Sequence, residues 1–525
     1  MRASLARLAA LLTLASGPVA LAQEVAPVEE ASEERPAEAP PQPTIYEPPA
    51  GADPAIPEDG PPTAPRAEEG DREPAEDDDE DGAPDPNAPD PNAHRGDFYF
   101  GSYGRVIAAS DLQGRVGRQS NVVTFGPRAD EADTYAEIEL RREDHFAGMD
   151  TQIVATVAYG GPIFHFDGEF SERIAIRNLF AETRNLLTPG LAVWAGSRMW
   201  RGDDVYLFNF WPLDNLNMVG GGVRYALEGI GELSLAGGLA QPNDPFQRQE
   251  VLVPARTGFT PDTVVFLDRP RFVLAAKLTY WPFGRFERTG MKATLYYEQH
   301  ILPAGERQSA EGFTEPLPDD LGWVLGAQVG GYITDSRTFA NLFVRYARGL
   351  GAYDPLGVPF QEGSVIQTGR AEELRIAVSA NWELEFFGLQ VGAYWRYFRD
   401  ADPNVFARGA LSEGAIDLRP HVWFGEFVGV ALDVSYQGLQ STAINETTGN
   451  PEGGNVFKLA LMPFVSPLGR GTYTRPHIRV IYSLTARDDG ARALYPVLDP
   501  RSAASIEHFL GIGVEWWFSS TSYSP

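Results

Sequence analysis

Regular alternation of apolar and polar residues in short segments is the dominant pattern of residues 97–518. The clearest segment is Val428–Gln437, in which every second residue from Val428 to Tyr436 is large and apolar and the residues between are small or polar. Tyr135–Leu140 and residues 477–484 alternate in the same way. A period of two places the two sets on opposite faces of a β-strand. The pattern therefore predicts an all-β chain, either a soluble sandwich or a membrane barrel.

Two features favour the barrel. Charged residues occupy the middle of the polar faces at Glu137, Arg375, Arg396, Asp417, Arg419 and Arg479, and a dry core does not tolerate unpaired charges. Aromatic residues gather near strand ends, as in residues 516–518, which is typical of interfacial girdles. We count about 18 candidate strands, a size that leaves an aqueous channel. The sequence predicts a transmembrane antiparallel β-barrel of about 18 strands.

The residues before the barrel differ sharply in composition. Residues 1–22 have the charged start, apolar centre and small-residue end of a signal peptide. Residues 23–96 hold 17 of the 42 prolines and carry a net charge of −18, which predicts a disordered, acidic periplasmic segment. The barrel is expected at residues 97–518, followed by a short tail at 519–525. No apolar run is long enough for a transmembrane helix, and cysteine is absent.

One long connection is unusually aromatic. Trp194–Gly222 leaves a strand, passes through five large aromatics and three acids, and returns through glycines to a strand. Because exposed apolar area is costly, such a loop is expected to fold onto something. Inside a membrane barrel the available space is the pore, so we predict a third loop that folds inward.

Five sequence fragments stand out between the first and the last predicted strand. They are Tyr103-Gly104-Arg105; Thr134-Tyr135-Ala136-Glu137-Ile138; Trp194-Ala195-Gly196-Ser197-Arg198 with Asp203-Asp204-Val205-Tyr206 and Asn209-Phe210-Trp211; Arg475-Pro476-His477-Ile478-Arg479-Val480; and Gly513-Val514-Glu515-Trp516-Trp517-Phe518. In their order and spacing they resemble the maltoporins and related sugar porins. The resemblance covers residues 97–518. It implies a trimeric, 18-stranded channel that passes sugars across the outer membrane of a Gram-negative bacterium.

The resemblance also implies a binding site made of an aromatic slide and a polar track. The slide would be Tyr103, Tyr135 and Trp517, with Trp211 at the position of the family's constriction tyrosine. The track would be Arg105, Glu137, Arg177 and Asp204, with Asn209 where maltoporins have aspartate. Arg128 lies one residue away from the expected spacing of a further track arginine. The implied partners are saccharides, membrane lipid and two further copies of the chain.

The chain departs from the family pattern at three positions. Two later slide positions fall near Leu325 and Glu413, and neither is aromatic. The tryptophan that a neighbouring subunit contributes falls near Glu169, with Phe166 and Phe170 close by. These departures predict a slide that is shorter than in maltoporins.

The function expected from the sequence is a passive sugar channel that needs no cofactor and has no catalytic or metal-binding residues. The seven histidines show no spacing suited to a metal, no nucleophile elbow or phosphate loop is present, and the acidic balance argues against nucleic acid. A general diffusion porin is the first alternative. A barrel enzyme or an envelope-tethering protein is the second.

Overall fold

The computed structural model describes residues 95–131, 133–161, 173–227, 229–255, 261–283, 288–309, 312–333, 336–354, 357, 367–402, 409–445 and 447–520. The predicted signal peptide, nearly all of the acidic segment, and Phe166, Glu169 and Phe170 lie outside these residues. Among the described residues, no helix is both long and apolar enough to cross a membrane.

The described chain is built almost entirely from β-strands. They are β1 (Arg95–Ser110), β2 (Tyr135–Phe146), β3 (Met149–Gly160), β4 (Arg173–Arg184), β5 (Leu191–Arg201), β6 (Asn215–Leu227), β7 (Gly231–Ala240), β8 (Arg248–Pro254), β9 (Pro261–Asp268), β10 (Arg271–Tyr280), β11 (Thr289–Leu302), β12 (Gly305–Gln308), β13 (Thr314–Leu317), β14 (Asp320–Ile333), β15 (Thr338–Gly349), β16 (Glu372–Glu383), β17 (Phe387–Arg399), β18 (Ala410–Trp423), β19 (Val428–Ile444), β20 (Pro451–Val465), β21 (His477–Arg487) and β22 (Ile506–Phe518). The helical pieces are α1 (Asp489–Ala493), α2 (Pro500–Ala503) and two single 3₁₀ turns, Tyr206–Phe208 and Leu350–Ala352.

Eighteen of these strands form one closed antiparallel barrel, as predicted. Each barrel strand pairs with the next barrel strand along the chain, so that β7 pairs with β10 and β11 with β14. β22 pairs with β1 to close the ring. Hairpins β8–β9 and β12–β13 lie in the connections outside this sheet. β1 begins at Arg95, opposite His145 of β2, two residues before the predicted start of the barrel. Closure leaves no sheet edge, which is what a hydrocarbon environment demands of a spanning sheet.

The alternation predicted from the sequence separates an outer from an inner surface. In β19, Val428, Leu432 and Tyr436 are 38–49% exposed, whereas Asp433 and Gln437 are fully buried. Large apolar residues therefore face outward, where a membrane places lipid, and the polar residues face a crowded interior. The predicted mid-strand charges Glu137, Asp417 and Arg419 all lie on this inner face.

Two connections at one end of the barrel fold into its interior. We call them L1 (residues 111–134) and L3 (residues 202–214, the third connection at that end). The backbone N–H groups of Thr124 and Phe125 in L1 donate to Glu413 Oε2 at 2.8 Å and Tyr394 Oη at 3.1 Å on the barrel wall. The rings of Phe125 and Phe210 stack with centroids 3.9 Å apart, so L1 and L3 pack on each other. The inward third loop is confirmed.

A turn at the opposite end also enters the barrel. It comprises residues 466–476 between β20 and β21, and we call it the long turn. The Thr472 hydroxyl is buried and donates to Asn381 Oδ1 of β16 at 2.8 Å, and its N–H donates to Glu383 Oε1 at 2.7 Å. Since β16 lies four strands away from β20 around the wall, the long turn crosses part of the interior.

Candidate functional site

The three predicted slide residues lie together on the inner face. Tyr103 of β1 is directly opposite Trp517 of β22 in the sheet register. Their rings stack with centroids 6.4 Å apart and planes 21° apart. On the other side, the Tyr103 ring lies 5.9 Å from the ring of Tyr135 in β2. Three inward-facing positions on the neighbouring strands β2, β1 and β22 thus form a strip of three rings.

Two further rings continue this strip. Tyr473 of the long turn lies 6.4 Å from Trp517, centroid to centroid, and Phe339 of β15 lies 6.1 Å from Tyr473. We call the five residues Tyr135, Tyr103, Trp517, Tyr473 and Phe339 the aromatic row. It runs from β2 to β15 by way of the long turn rather than along one part of the wall.

The geometry adds two rings that the expectation of a shorter slide did not include. Leu325 is 56% exposed on the outer face of β14 and cannot line the interior. Glu413 does face inward but is bonded to Arg396 at 3.0 Å and to L1. The missing rings come instead from Tyr473 and Phe339. Tyr473 stands two residues before Arg475, just outside the fragment that carried the resemblance, and no local pattern marks it as an interior ring.

Arg475 joins the long turn to L3 and to the wall. Its Nη2 donates to Tyr206 Oη of L3 at 2.6 Å, and its Nε lies 3.2 Å from Glu515 Oε2 of β22. The guanidinium carbon sits 4.0 Å above the Trp517 ring. Tyr206 Oη in turn donates to Glu515 Oε2 at 2.7 Å. This network fixes Trp517 and Tyr206 relative to the long turn, and the sequence did not predict it.

A cavity of about 580 Å³ opens beside the aromatic row. Its other sides are enclosed by L3, by Trp281 just after β10, by Lys292 of β11 and by the adjacent ends of β14 and β15. Its lining includes four residues of the row together with charged and amide side chains, namely Tyr103, Trp517, Tyr473, Phe339, Arg128, Asp203, Asp204, Asn209, Lys292, Arg337 and Asn341. Rings on one side and polar groups on another are the composition of a pocket for a partly apolar, hydroxyl-rich molecule.

The predicted track residues on the strands pair with other protein groups. Glu137 and Arg177 form an ion pair, and Tyr135 Oη is hydrogen-bonded to both of them. Arg105 is directed elsewhere: its Nη2 lies 2.5 Å from Glu131 Oε1 of L1, and its Nη1 donates to Tyr103 Oη at 3.3 Å. These charges hold the rings of Tyr135 and Tyr103 in place from behind.

Arg128 of L1 lies at the row itself. Its Nη2 donates to Tyr103 Oη at 3.0 Å, and its Nε lies 2.6 Å from Glu131 Oε2. Its guanidinium carbon is 5.5 Å from the Tyr206 ring centroid. Since Arg128 also lines the cavity, the structure brings it together with the track although its spacing departed from the family pattern.

The two neighbouring acids of L3 differ in their surroundings. Asp203 pairs with Lys292 of β11 and accepts from Gln328. Burial acts to raise the pKa of Asp203, but Lys292, Gln328 and Lys277 together outweigh it, so the pKa lies below its ordinary value. Burial and the adjacent Asp203 carboxylate raise the pKa of Asp204 to about 6. L3 therefore presents one permanent and one titratable carboxyl group near neutral pH.

The remaining predicted residues of L3 also line the cavity. Asn209 is exposed and adopts the left-handed conformation, φ 50°, at the end of the 3₁₀ turn. Trp211 is only 9% exposed, and the guanidinium carbon of Arg201 lies 4.2 Å from its ring centroid. Asn209 thus offers its amide to the cavity, whereas Trp211 presents little more than one edge. Within the described residues, no group of three or more acids and histidines could hold a metal ion.

Comparison with known proteins gives one family and several structures. The family model described as LamB porin matches residues 98–518. Among solved structures, Pseudomonas aeruginosa OccK2 (OpdF) in complex with glucuronate is similar at 13% identity, covering 80% of this chain and 98% of its own, with a TM-score of 0.37. The anion-selective porin from Comamonas acidovorans is similar at 8% identity, covering 81% of this chain and 100% of its own, with a TM-score of 0.37.

Proposed function

This chain belongs to the LamB porin family, whose barrels are outer-membrane diffusion channels, and we propose that its own channel is selective for saccharides. The observation that carries the proposal is the aromatic row, five rings in unbroken contact that continue from strands β2, β1 and β22 across the long turn to β15. A channel that only excludes by size needs no such arrangement.

The chemistry of the row suits sugars. A pyranose ring has apolar C–H faces and a polar rim, so its faces stack on Tyr135, Trp517 and the part of the largely buried Tyr103 that lines the cavity, while its hydroxyls meet polar groups beside them. On this proposal the site consists of the residues that the sequence predicted. Those that contact the sugar are Tyr103, Tyr135, Asp204, Asn209, Trp211 and Trp517, and those that position the rings are Arg105, Glu137 and Arg177. Binding is weak at each position, because a tight site would stop the flow of solute. Diffusion down a gradient needs neither a cofactor nor an energy source.

Single-channel recording in a planar bilayer tests the proposal. Maltose-, sucrose- and cellobiose-type oligosaccharides should block the ion current saturably. Tyr103→Ala should weaken the block roughly fivefold, since one aromatic contact contributes ~1 kcal/mol. Tyr297→Ala is the matched control, because this tyrosine faces outward from β11 at 42% exposure and should leave the block unchanged.

Absence of saturable block in the parent protein would favour a general diffusion porin. Hydrolysis of an ester or lipid by the purified barrel, lost on one serine or histidine substitution, would favour an enzyme instead. Both outcomes contradict the saccharide proposal.

We further propose that three copies assemble in the outer membrane of a Gram-negative bacterium, with the acidic N-terminal segment in the periplasm. The family resemblance supports this assembly. Cross-linking in mild detergent should give a threefold species that resists partial heating. A profile that contains only monomer would contradict it.

A further inference from the structure

The chain contains only three lysines, and each of them pairs with an acid of an inward-folded loop. Lys458 Nζ lies 2.7 Å from Asp130 Oδ1 of L1, and Lys277 Nζ lies 2.7 Å from Asp214 Oδ2 at the end of L3. Lys292 pairs with Asp203 of L3. All three pairs therefore tie loops to the barrel wall.

The Asp203–Lys292 pair differs from the other two in its exposure. The side chains of Lys458 and Asp130 are at most 1% exposed, and those of Lys277 and Asp214 are 15% and 1% exposed. Lys292 and Asp203 are 23% and 34% exposed, and both line the cavity beside the aromatic row. A pair that only anchors a loop has no need of open access to the cavity.

Amide groups extend this pair along the wall. Gln328 Nε2 of β14 is hydrogen-bonded to Asp203 and donates to Asn341 Oδ1 of β15 at 3.2 Å. In the sheet register, Lys292 and Asn341 flank Gly330 of β14 on its two sides. A Cβ at Gly330 would come within 2.0 Å of Asn341 Oδ1. The glycine therefore keeps the space between the ammonium and amide groups open.

This polar cluster lies across the interior from the start of the aromatic row. β11, β14 and β15 are the ninth to eleventh strands of the barrel, whereas Tyr103 and Trp517 lie on the first and the eighteenth. Residues from both sides line the same cavity. A solute stacked on Tyr103 and Trp517 therefore turns its far side toward Lys292.

We propose that Asp203, Lys292 and Asn341 form a hydroxyl-binding subsite for a saccharide ring that stacks on Tyr103 and Trp517. This inference rests on the proposed function and adds a second wall to the site. The carboxylate accepts a hydrogen bond from one hydroxyl, and the ammonium donates to the oxygen of a neighbouring hydroxyl. Such charge-assisted bonds are stronger than neutral ones. The ligand class is a neutral sugar with adjacent hydroxyls, and the Asp203–Lys292 pair also keeps L3 in position.

Two double variants separate binding from loop anchoring. Asp203→Asn/Lys292→Met removes the exposed pair, and Asp214→Asn/Lys277→Met removes the covered pair of the same loop. Each replaces both charges, so neither leaves a buried charge alone. We expect the first to weaken saturable oligosaccharide block roughly tenfold, the scale of one charge-assisted bond, and the second by less than about twofold.

A single variant keeps the loop anchored while it alters the subsite. Asn341→Ala leaves the Asp203–Lys292 pair intact and should weaken the block roughly fivefold, as expected for one neutral hydrogen bond. Heat-modifiable migration of each variant shows whether its barrel is folded.

The outcomes distinguish the two proposals. Equal weakening in both double variants, or unchanged block in Asp203→Asn/Lys292→Met, overturns the subsite while leaving the saccharide channel in place. A parent protein without saturable block overturns the channel proposal and the subsite with it.

Discussion

Four rings of the aromatic row lie on strands and the fifth, Tyr473, lies in the long turn, and the two kinds are held in different ways. Tyr103 and Trp517 occupy paired positions of β1 and β22, so the backbone ladder fixes them. Tyr473 lies in the long turn, whose neighbour Thr472 bonds to Asn381, 91 residues away in sequence. Tyr206 of L3, whose ring contacts the row at Trp517 with centroids 5.8 Å apart, is bonded to Arg475, 269 residues away. The strand rings are a consequence of the sheet, whereas the loop rings depend on a few buried polar contacts.

This difference indicates which substitutions disturb one ring and which disturb several. A substitution at a strand ring removes that ring and leaves its neighbours in place. A substitution at a polar anchor of a connection releases rings that it does not itself carry.

The largest effect is expected from Arg475→Met. Glu515 is 1% exposed, and loss of a buried partner leaves a poorly compensated charge. Arg479 remains 3.5 Å away, so we expect the free energy of unfolding to fall by about 3 kcal/mol, the lower end for such a pair. Urea unfolding in lipid vesicles measures this change. Stability equal to the parent would mean that the network does not hold the turn.

The next effect concerns Trp211 of L3. Trp211→Ala removes a large side chain from the cavity lining and should raise the single-channel conductance, since the passage widens. Sugar affinity should fall by no more than roughly fivefold, the scale of one aromatic contact. Conductance equal to the parent would mean that Trp211 only packs L3 against Arg201.

A smaller effect is expected from pH. Burial and Asp203 raise the pKa of Asp204 to about 6, so Asp204 takes up a proton as the pH falls from 7.5 to 5. Asp203, whose pKa lies below its ordinary value, stays ionised. The channel therefore loses one negative charge, and its preference shifts away from cations toward anions. The reversal potential in a salt gradient should shift with a midpoint near pH 6. The same shift in Asp204→Asn would assign it to another group.

The smallest effect is expected from deleting the acidic N-terminal segment. Residues 23–94 show no apolar periodicity. Deleting them behind the predicted signal peptide should leave the amount of heat-modifiable barrel and the conductance at parent levels. Loss of folded barrel would show that the segment assists assembly.

The same distinction explains what the sequence revealed. Period-two alternation and mid-strand charges were sufficient for the barrel and for the inward direction of Glu137, because side-chain direction on a strand is a local property. Tyr103 and Trp517 were placed in the interior by the resemblance to sugar porins. The aromatic content of L3 was sufficient to predict its inward fold. Both predictions needed no knowledge of distant partners.

The rest depended on contacts that no local pattern encodes. Tyr473 lies in a turn rich in glycine and polar residues, a composition typical of a surface connection. Hydrogen bonds from its neighbours Thr472 and Arg475 to β16 and β22 bring it into the interior. Lys292 and Asp203 meet because L3 folds onto a distant strand, 89 residues away in sequence. The later slide positions were placed at Leu325 and Glu413 by linear spacing, which fails where the row leaves the strands.

The central claim is that strand rings and turn rings form one saccharide path, and Tyr473→Ala compared with Tyr103→Ala tests it most directly. Saturable oligosaccharide block should weaken roughly fivefold in each variant, since each loses one aromatic contact. Tyr473→Phe keeps the ring and should retain the block. If Tyr103→Ala weakens the block and Tyr473→Ala leaves it at the parent level, the path ends at Trp517 and the account of a continuous row is wrong.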